Sequence, residues 1–554
     1  MINTIPKPQL VLGYVEFFNE PPPEDRLSIV ASICKRNLIA ELSGLNYRLK
    51  QKSSKHQDTT LDTQAKALRY FSNNDDFTLR NYSRIPEKYT KNKDDYPLIF
   101  IRQSCLFALE EIIQSDLEVI EDFNVSRPEV WEAIFKYILA VNTHLTKIEE
   151  EENDDKVNFE NINPKMLPLN ELNVSTDPIY TPYRGYKLLE FLSRHEQLKS
   201  HVKNYFAETY SATFDYFIYE TLGMYLANKH PNPEHDFYYK VQGKSNTLFE
   251  ALSKKYKSAD FIKLLSIKKF PFYKSSECSY ILFDNTLLLE KSYSQFINDF
   301  WFDHVKNLKN PDGLSLFDIK KYRSIIGYFF ESYVRDTIEY CFAKSKHYKL
   351  RLFDELKIAQ KNGEIEIADL YVRFDRKIIL GQVKSTSIYD NEKYGGNVEA
   401  FYKNNRSSFF ESFGIDQLVN SILKLENHIR DVDLGFPVGQ PYKIFPVLIV
   451  NEKALQAPLM GEIFQNRFLE LMKEYKNLKT HVYPLSIIHI GDLENIQEFL
   501  YEKPNEIWNL LQYHCRYPEF MPPFYNSIYR RDIRPNYKRS VKLYEELILK
   551  YQAS

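Results

Sequence analysis

Between Gly363 and Ser387 the chain reads GEIEIADLYVRFDRKIILGQVKSTS, and two residues in it sit oddly for their surroundings. Asp369 and Lys384 lie in or beside apolar runs of the kind that form buried strands. A sheet interior accepts a carboxylate and an ammonium only when each is paired or coordinates something. If Asp375-Arg376 is a two-residue turn, antiparallel pairing sets Asp369 opposite Gln382. The turn lacks the favoured Asn-Gly pair, so a shifted register stays open, and Glu364 or Glu366 would then offer a carboxylate instead. Gln382 and Lys384 flank Val383 and share a face, while Val383 points the other way. An acid, an amide and an amine at one strand end could hold a divalent metal and a water for phosphodiester cleavage. The metal would neutralise charge on the phosphodiester and lower the pKa of a bound water, and Lys384 would position or deprotonate that water and stabilise the developing charge.

A helix must bring a further carboxylate. In SIIGYFFESYVRDTI the apolar stripe runs through Ile326, Phe330, Tyr333 and Ile338. Glu331 lies four residues after Gly327 and three before Val334, on one flank of that stripe. Glycine at 327 is expected to let the helix approach the sheet, carrying Glu331 over the strand ends.

Taken together, these residues resemble the PD-(D/E)xK phosphodiesterase superfamily, which includes restriction endonucleases and many repair and defence nucleases. The family pattern is a helix with Glu, an Asp on one strand and (Glu/Gln)-x-Lys on the next. Here it reads GYFFE (Glu331), ADLYV (Asp369) and GQVKS (Gln382, Lys384), over residues 320–450. The resemblance implies a metal-dependent endonuclease using Mg²⁺ or Mn²⁺. Asp369, Glu331, Gln382 and the Val383 backbone carbonyl would be metal ligands, with Lys384 as the catalytic amine. It implies nucleic acid as substrate, DNA before RNA, in a setting such as prokaryotic restriction or antiphage defence. Gln382 replaces the commoner second acid, which removes one negative charge, although an amide oxygen still suits a hard cation. The alternative is a non-catalytic module that binds nucleic acid or protein on a degenerate nuclease fold. A plainer reading makes Asp369 and Lys384 a cross-strand ion pair and Glu331 a solvated helix residue.

Further candidates surround this set. Gln417, in FGIDQLVNSIL, opens the helix after the second strand, where family members often carry a polar residue near the site or substrate backbone; a core-facing amide or an ordinary helix-start residue fits equally. Lys393, Lys403 and Arg406 fall in a glycine-containing loop that could line a nucleic-acid groove. Near the C-terminus, Arg530, Arg531 and Arg534 interleave with Tyr525, Tyr529 and Tyr537. Cations for phosphates and rings for stacking suit nucleic acid, and a basic arm packed on its own domain fits equally.

A net charge of −2 provides no global positive field, so nucleic-acid contacts must be local. The five cysteines are scattered singly, which argues against disulfides and a cysteine zinc site. The first residues, MINTIPKPQL, lack the pattern of a signal peptide, and no apolar run is long enough to span a bilayer. A cytoplasmic protein without membrane partners is expected. The pattern predicts an α/β (α+β) chain. A helical N-terminal domain at 1–148 leads through an acidic, proline-rich linker at 149–182 to a second helical segment at 183–310. A restriction-endonuclease-like mixed sheet flanked by helices follows at 311–520, then a basic helical arm at 521–554. Residues 1–20 read as extended, with strand-like LVLGYVEFF. The N-terminal half would recognise substrate or a protein partner, or form a homo-oligomer.

Overall fold

The computed structural model describes residues 10–49, 60–72, 76–89, 96–117, 127–150, 170–174, 176–227, 237–241, 243 and 245–254. It continues through 264–360, 363–388, 393–394, 406–437, 439, 441–473, 475, 480–516 and 521–552. Two compact units result. One comprises Met1–Asn163, Leu172–Asn307 and Tyr544–Ser554, and the other Pro164–Glu171 and Leu308–Leu543. The break at Leu308 lies close to the expected boundary at 311. The helical stretches 1–148 and 183–310 contribute to one unit, and most of the expected linker lies outside the described residues.

The first unit is helical apart from a three-stranded antiparallel sheet, with Ser279–Leu282 between Tyr238–Lys240 and Phe272–Ser276. A buried carboxylate, Asp284, joins its parts. Arg102 Nη2 reaches Asp284 Oδ1 at 2.7 Å and Nε reaches Oδ2 at 3.0 Å. Asn46 Nδ2 donates to Oδ2 at 2.7 Å, while Oδ1 caps the helix Asn285–Glu290 through the Thr286 amide at 2.6 Å. A charge out of water persists only with such complete partnering. The LVLGYVEFF stretch departs from expectation: Tyr14–Phe18 is a helix, started by Glu16 accepting the Gly13 N–H at 2.9 Å and closed by left-handed Asn19.

The second unit is a mixed sheet covered by helices. It opens with α1 (Ile319–Phe342), followed by β1 (Lys349–Leu352) and a small hairpin, β2 (Lys357–Gln360) with β3 (Gly363–Glu366). Then come β4 (Leu370–Phe374), β5 (Lys377–Lys384), α2 (Arg406–Ser412), α3 (Ile415–Val432) and β6 (Lys443–Val450). The chain continues with α4 (Met460–Met472), β7 (His481–Val482), β8 (Ser486–His489), α5 (Ile490–Glu502) and α6 (Glu506–His514). It ends with α7 (Phe524–Arg530) and the start of α8 (Lys538–Gln552), as far as Leu543. Strand order is β7-β6-β5-β4-β1, with β8 also on β6; β4 pairs antiparallel to β1 and β5, and β6 parallel to β5, β7 and β8.

The hairpin turns at Asp375-Arg376 as expected, with Phe374 opposite Lys377 and Leu370 opposite Gly381. Asp375 takes the left-handed φ of 53° that a short polar side chain tolerates. The run around Asp369, of the kind that forms a buried strand, is not one continuous strand. β3 ends at Glu366 and β4 begins at Leu370, so Asp369 occupies a bend just before the strand rather than a place within it. Likewise a short 3₁₀ turn, Phe353–Leu356, separates β1 from β2.

Helix α1 is tied to α5 by rungs at successive turns. Tyr333 donates to Glu494 Oε1 at 2.7 Å, Tyr340 to Glu498 Oε2 at 2.7 Å, and Lys344 pairs with Glu502 at 2.8 Å. At Gly381 the strands leave no room for a side chain: an added Cβ would stand 3.0 Å from the Val447 carbonyl oxygen and 3.2 Å from Leu370 Cδ2. We expect Gly381→Val to destabilise the protein by about 1–3 kcal/mol through overpacking, seen as a lower urea midpoint; an unchanged midpoint would show that the strands part freely here.

Candidate active site

The register decides which side chains meet. Extending the β4–β5 ladder by one residue places Asp369 opposite Gln382. Along β5, Gln382 and Lys384 face α3, while Gly381 and Val383 face the other layer. Alternation also governs the backbone. Lys384 O accepts the Asn451 N–H on the β6 side, and Val383 N donates to Asp369 Oδ2 at 2.8 Å on the β4 side. The N–H and C=O of one strand residue project to the same side. The Val383 carbonyl is therefore turned to the edge where Asp369 sits, beyond the end of the β4 ladder.

Lys384 Nζ lies 3.9 Å from Asp369 Oδ2, with both side chains largely buried. That is beyond hydrogen-bond length, and Oδ2 already accepts the Val383 amide. The ammonium is close enough to neutralise but does not close on the carboxylate as a structural ion pair would.

Gln382 is buried, and its Nε2 donates to Ser421 Oγ on α3 at 3.1 Å. Ser421 in turn gives its own proton to the Gln417 carbonyl at 2.7 Å, so its oxygen is left to accept. This chain fixes the amide with nitrogen toward α3 and leaves Oε1 without a donor among the described residues. Ser421 escaped the sequence reading. Its signal was positional only, one helical turn after Gln417. The Gln417 side chain itself is exposed.

Gly414, also missed, caps the start of α3 with φ +81°. A Cβ there would fall 2.5 Å from Lys384 Cε and 3.5 Å from Gln382 Cβ. The lysine stem thus rests directly on the glycine backbone. Gly327 behaves differently: α1 does approach the sheet at Ser385, but an added Cβ would meet Ser385 Oγ at an ordinary 3.5 Å. The expected spatial need for glycine at 327 is not present.

Glu331 is half-buried. Burial raises its carboxyl above the usual 4.5, Asp369 raises it further, and Lys384 opposes. Burial likewise raises Asp369 above 3.8, against the pull of Lys384 and of the Val383 N–H. Glu366, at the end of β3, pushes Asp369 up in addition. The bend at Asp369 explains this neighbour: Glu366 joins the group although the register has not shifted. Three carboxylates, Glu331, Glu366 and Asp369, therefore act on one another with Lys384 as the cation among them.

Other expected residues lie elsewhere or in other roles. Lys393 is buried between Glu171, 3.0 Å away, and Glu452, 2.8 Å away, which corrects its expected place in an open groove. It contributes instead to a network with Tyr394, whose hydroxyl donates to Glu171. Glu452 there accepts the Ile388 amide, holding the chain that leaves β5. Lys403 and the Arg406 side chain lie outside the described residues. Arg531 pairs with Glu506 at 2.9 Å, whereas Arg530 and Arg534 are exposed, Arg534 beside Asp532. Tyr525 is buried, so part of the basic arm is packing.

Among the described residues, no group of three or more His, Cys, Asp and Glu side chains is arranged to hold a metal ion. The donors that fit a hard cation are two carboxylates, an amide oxygen and a backbone carbonyl, a set of oxygens. The raised carboxyls support the fit, because crowded, desolvated acids gain from an added positive charge. No helix among the described residues is long and apolar enough to cross a membrane. Compared with protein families, curated proteins and solved structures, the chain matches none of them.

The raised carboxyls have a consequence for stability. The folded state holds these protons more tightly than the unfolded chain. Stability from Asp369 and Glu331 therefore falls as pH rises above 3.8 and 4.5 through their higher folded values. Without divalent metal at neutral pH, Asp369→Asn should melt at a higher temperature than the wild type, since the amide keeps the Val383 hydrogen bond and removes the charge. A variant that melts several degrees lower would contradict this electrostatic account.

Proposed function

We propose that the second unit is a metal-dependent nuclease that hydrolyses phosphodiester bonds in nucleic acid, DNA in preference to RNA. The observation that carries the reading is the meeting of Asp369, Gln382 and Lys384 on one face, with Glu331 acting on the same carboxylate from α1. Order, register and helix placement agree with the PD-(D/E)xK resemblance, which supplies the reaction class. Asp369, Glu331, Gln382 Oε1 and the Val383 carbonyl would hold Mg²⁺ or Mn²⁺. Such a cation neutralises the scissile phosphate and acidifies bound water.

The chain's own groups do the remaining work. The Val383 N–H fixes one Asp369 oxygen and with it the orientation of the carboxylate. Ser421 holds the Gln382 amide so that its oxygen, not its nitrogen, meets a cation. Lys384, supported by Gly414, places an ammonium beside Asp369, where it can orient a water and offset charge growing on the phosphate. The Gln382 substitution weakens metal affinity, since it removes one charge, but keeps an oxygen donor. A place in restriction or antiphage defence accords with the resemblance, as does recognition of a trigger or partner by the first unit.

The test is plasmid or oligonucleotide cleavage by the full chain with Mg²⁺ or Mn²⁺. Wild type should cut, and Asp369→Ala or Lys384→Ala should each lose about 10²–10³-fold or more in rate. Gly414→Ala should also slow cleavage, because the new methyl displaces the Lys384 stem. Cutting that survives both Asp369→Ala and Lys384→Ala would sink the site. Binding without cleavage in any metal would favour the non-catalytic module.

A further inference from the structure

Beside the candidate site stands an exposed tyrosine, Tyr328. Tyr328 is 65% exposed on α1, and among the described residues its ring meets no other aromatic and its hydroxyl makes no hydrogen bond. Single exposed rings are ordinary on a protein surface; this one is set apart by its place one helical turn from Glu331.

Its position follows from two flanking contacts. Gly327, the preceding residue, lies against Ser385, which follows Lys384 in the chain. Glu331, three residues later, interacts with Asp369 and Lys384. Three residues along a helix advance about 4.5 Å and return to nearly the same flank. Tyr328 therefore stands within one turn of Glu331, rotated from the sheet toward solvent. Ser324 and Lys320, on the same flank one and two turns earlier, are exposed as well. The stripe runs from a cation, through a hydroxyl and a ring, to the carboxylate of the site.

We propose that Tyr328 is a stacking platform for an unpaired nucleobase next to the phosphate engaged at Glu331, Asp369 and Lys384. This rests on the nuclease reading and narrows its substrate class. A base inside a duplex has both faces covered by its neighbours, whereas a base in a single strand, gap or frayed end offers a free face to a ring. Stacking of this kind is tolerant of sequence, because every base has such a face. Lys320 and Lys384, at either end of the stripe, provide charge for the flanking phosphates.

The experiment uses the full chain carrying Asp369→Asn, so that the probe is not cut, and fluorescently labelled oligonucleotides. The probes are a single strand, the matching duplex, and the single strand with an abasic site. The proposal expects tighter binding of the single strand than of the duplex. Adding Tyr328→Ala should weaken single-strand binding about tenfold, and Tyr328→Trp should retain it, with indole fluorescence quenched on binding. Single-strand affinity unchanged by Tyr328→Ala, with nucleic acid still bound, overturns the platform and leaves the nuclease reading standing. Equal or tighter binding of duplex also overturns it. If no probe binds at all, the nuclease reading fails and the platform fails with it.

Discussion

The placement of β5 between an antiparallel and a parallel neighbour is the constraint on which the site depends. Eight residues of β5 pair in register with β6, and five with β4, so the strand cannot slide without breaking both ladders. A slip of one residue would turn Gln382 and Lys384 to the opposite face and bury Val383 where the acid lies. Gly381 locks the arrangement, because the neighbouring strands close over its Cα. Sequence periodicity thus becomes chemistry: alternation along one strand sends side chains to α3 and, residue by residue, backbone groups to Asp369 or to β6.

On that frame, electrostatics is left unsettled at one point. Two other buried charges of the described residues are closely partnered. Asp284 has Arg102 and Asn46, and Lys393 has Glu171 and Glu452. Asp369 has a backbone amide and a lysine that stops at 3.9 Å, with two further carboxylates acting on it or on Glu331. A fold able to complete a buried ion pair elsewhere leaves this one open. Raised carboxyls beside a held amide oxygen are what the proposed divalent cation would relieve.

Much of the second unit was legible in the sequence for identifiable reasons. The apolar run at Ile378–Leu380 marks a doubly covered strand, and the helix through Glu331 has an unbroken stripe. The turn at Asp375-Arg376 then sets the register by counting. What escaped was contact between elements distant in sequence. Ser421 and Gly414 matter only because α3 crosses the end of β5, which no spacing rule announces. Lys393 looked like a groove lysine in a polar loop, yet its partners Glu171 and Glu452 lie far along the chain in either direction. The break before Asp369 left one trace in the sequence, a slip of apolar phase from Ile365 and Ile367 to Ala368, Leu370 and Val372; the bend itself is held by tertiary context, with the Phe353 amide bonding to the Asp369 carbonyl. In the first unit, Tyr14–Phe18 shows a local cap prevailing over a strand-like composition.

The central claim is that Asp369 and its neighbours bind a divalent cation. Its most direct measurement is a Mn²⁺ titration of the full chain followed by electron paramagnetic resonance, which counts free against bound ion. The account predicts that the wild type takes up Mn²⁺ at a site that is lost in Asp369→Asn and weakened in Glu331→Gln. Identical uptake by all three proteins would contradict it.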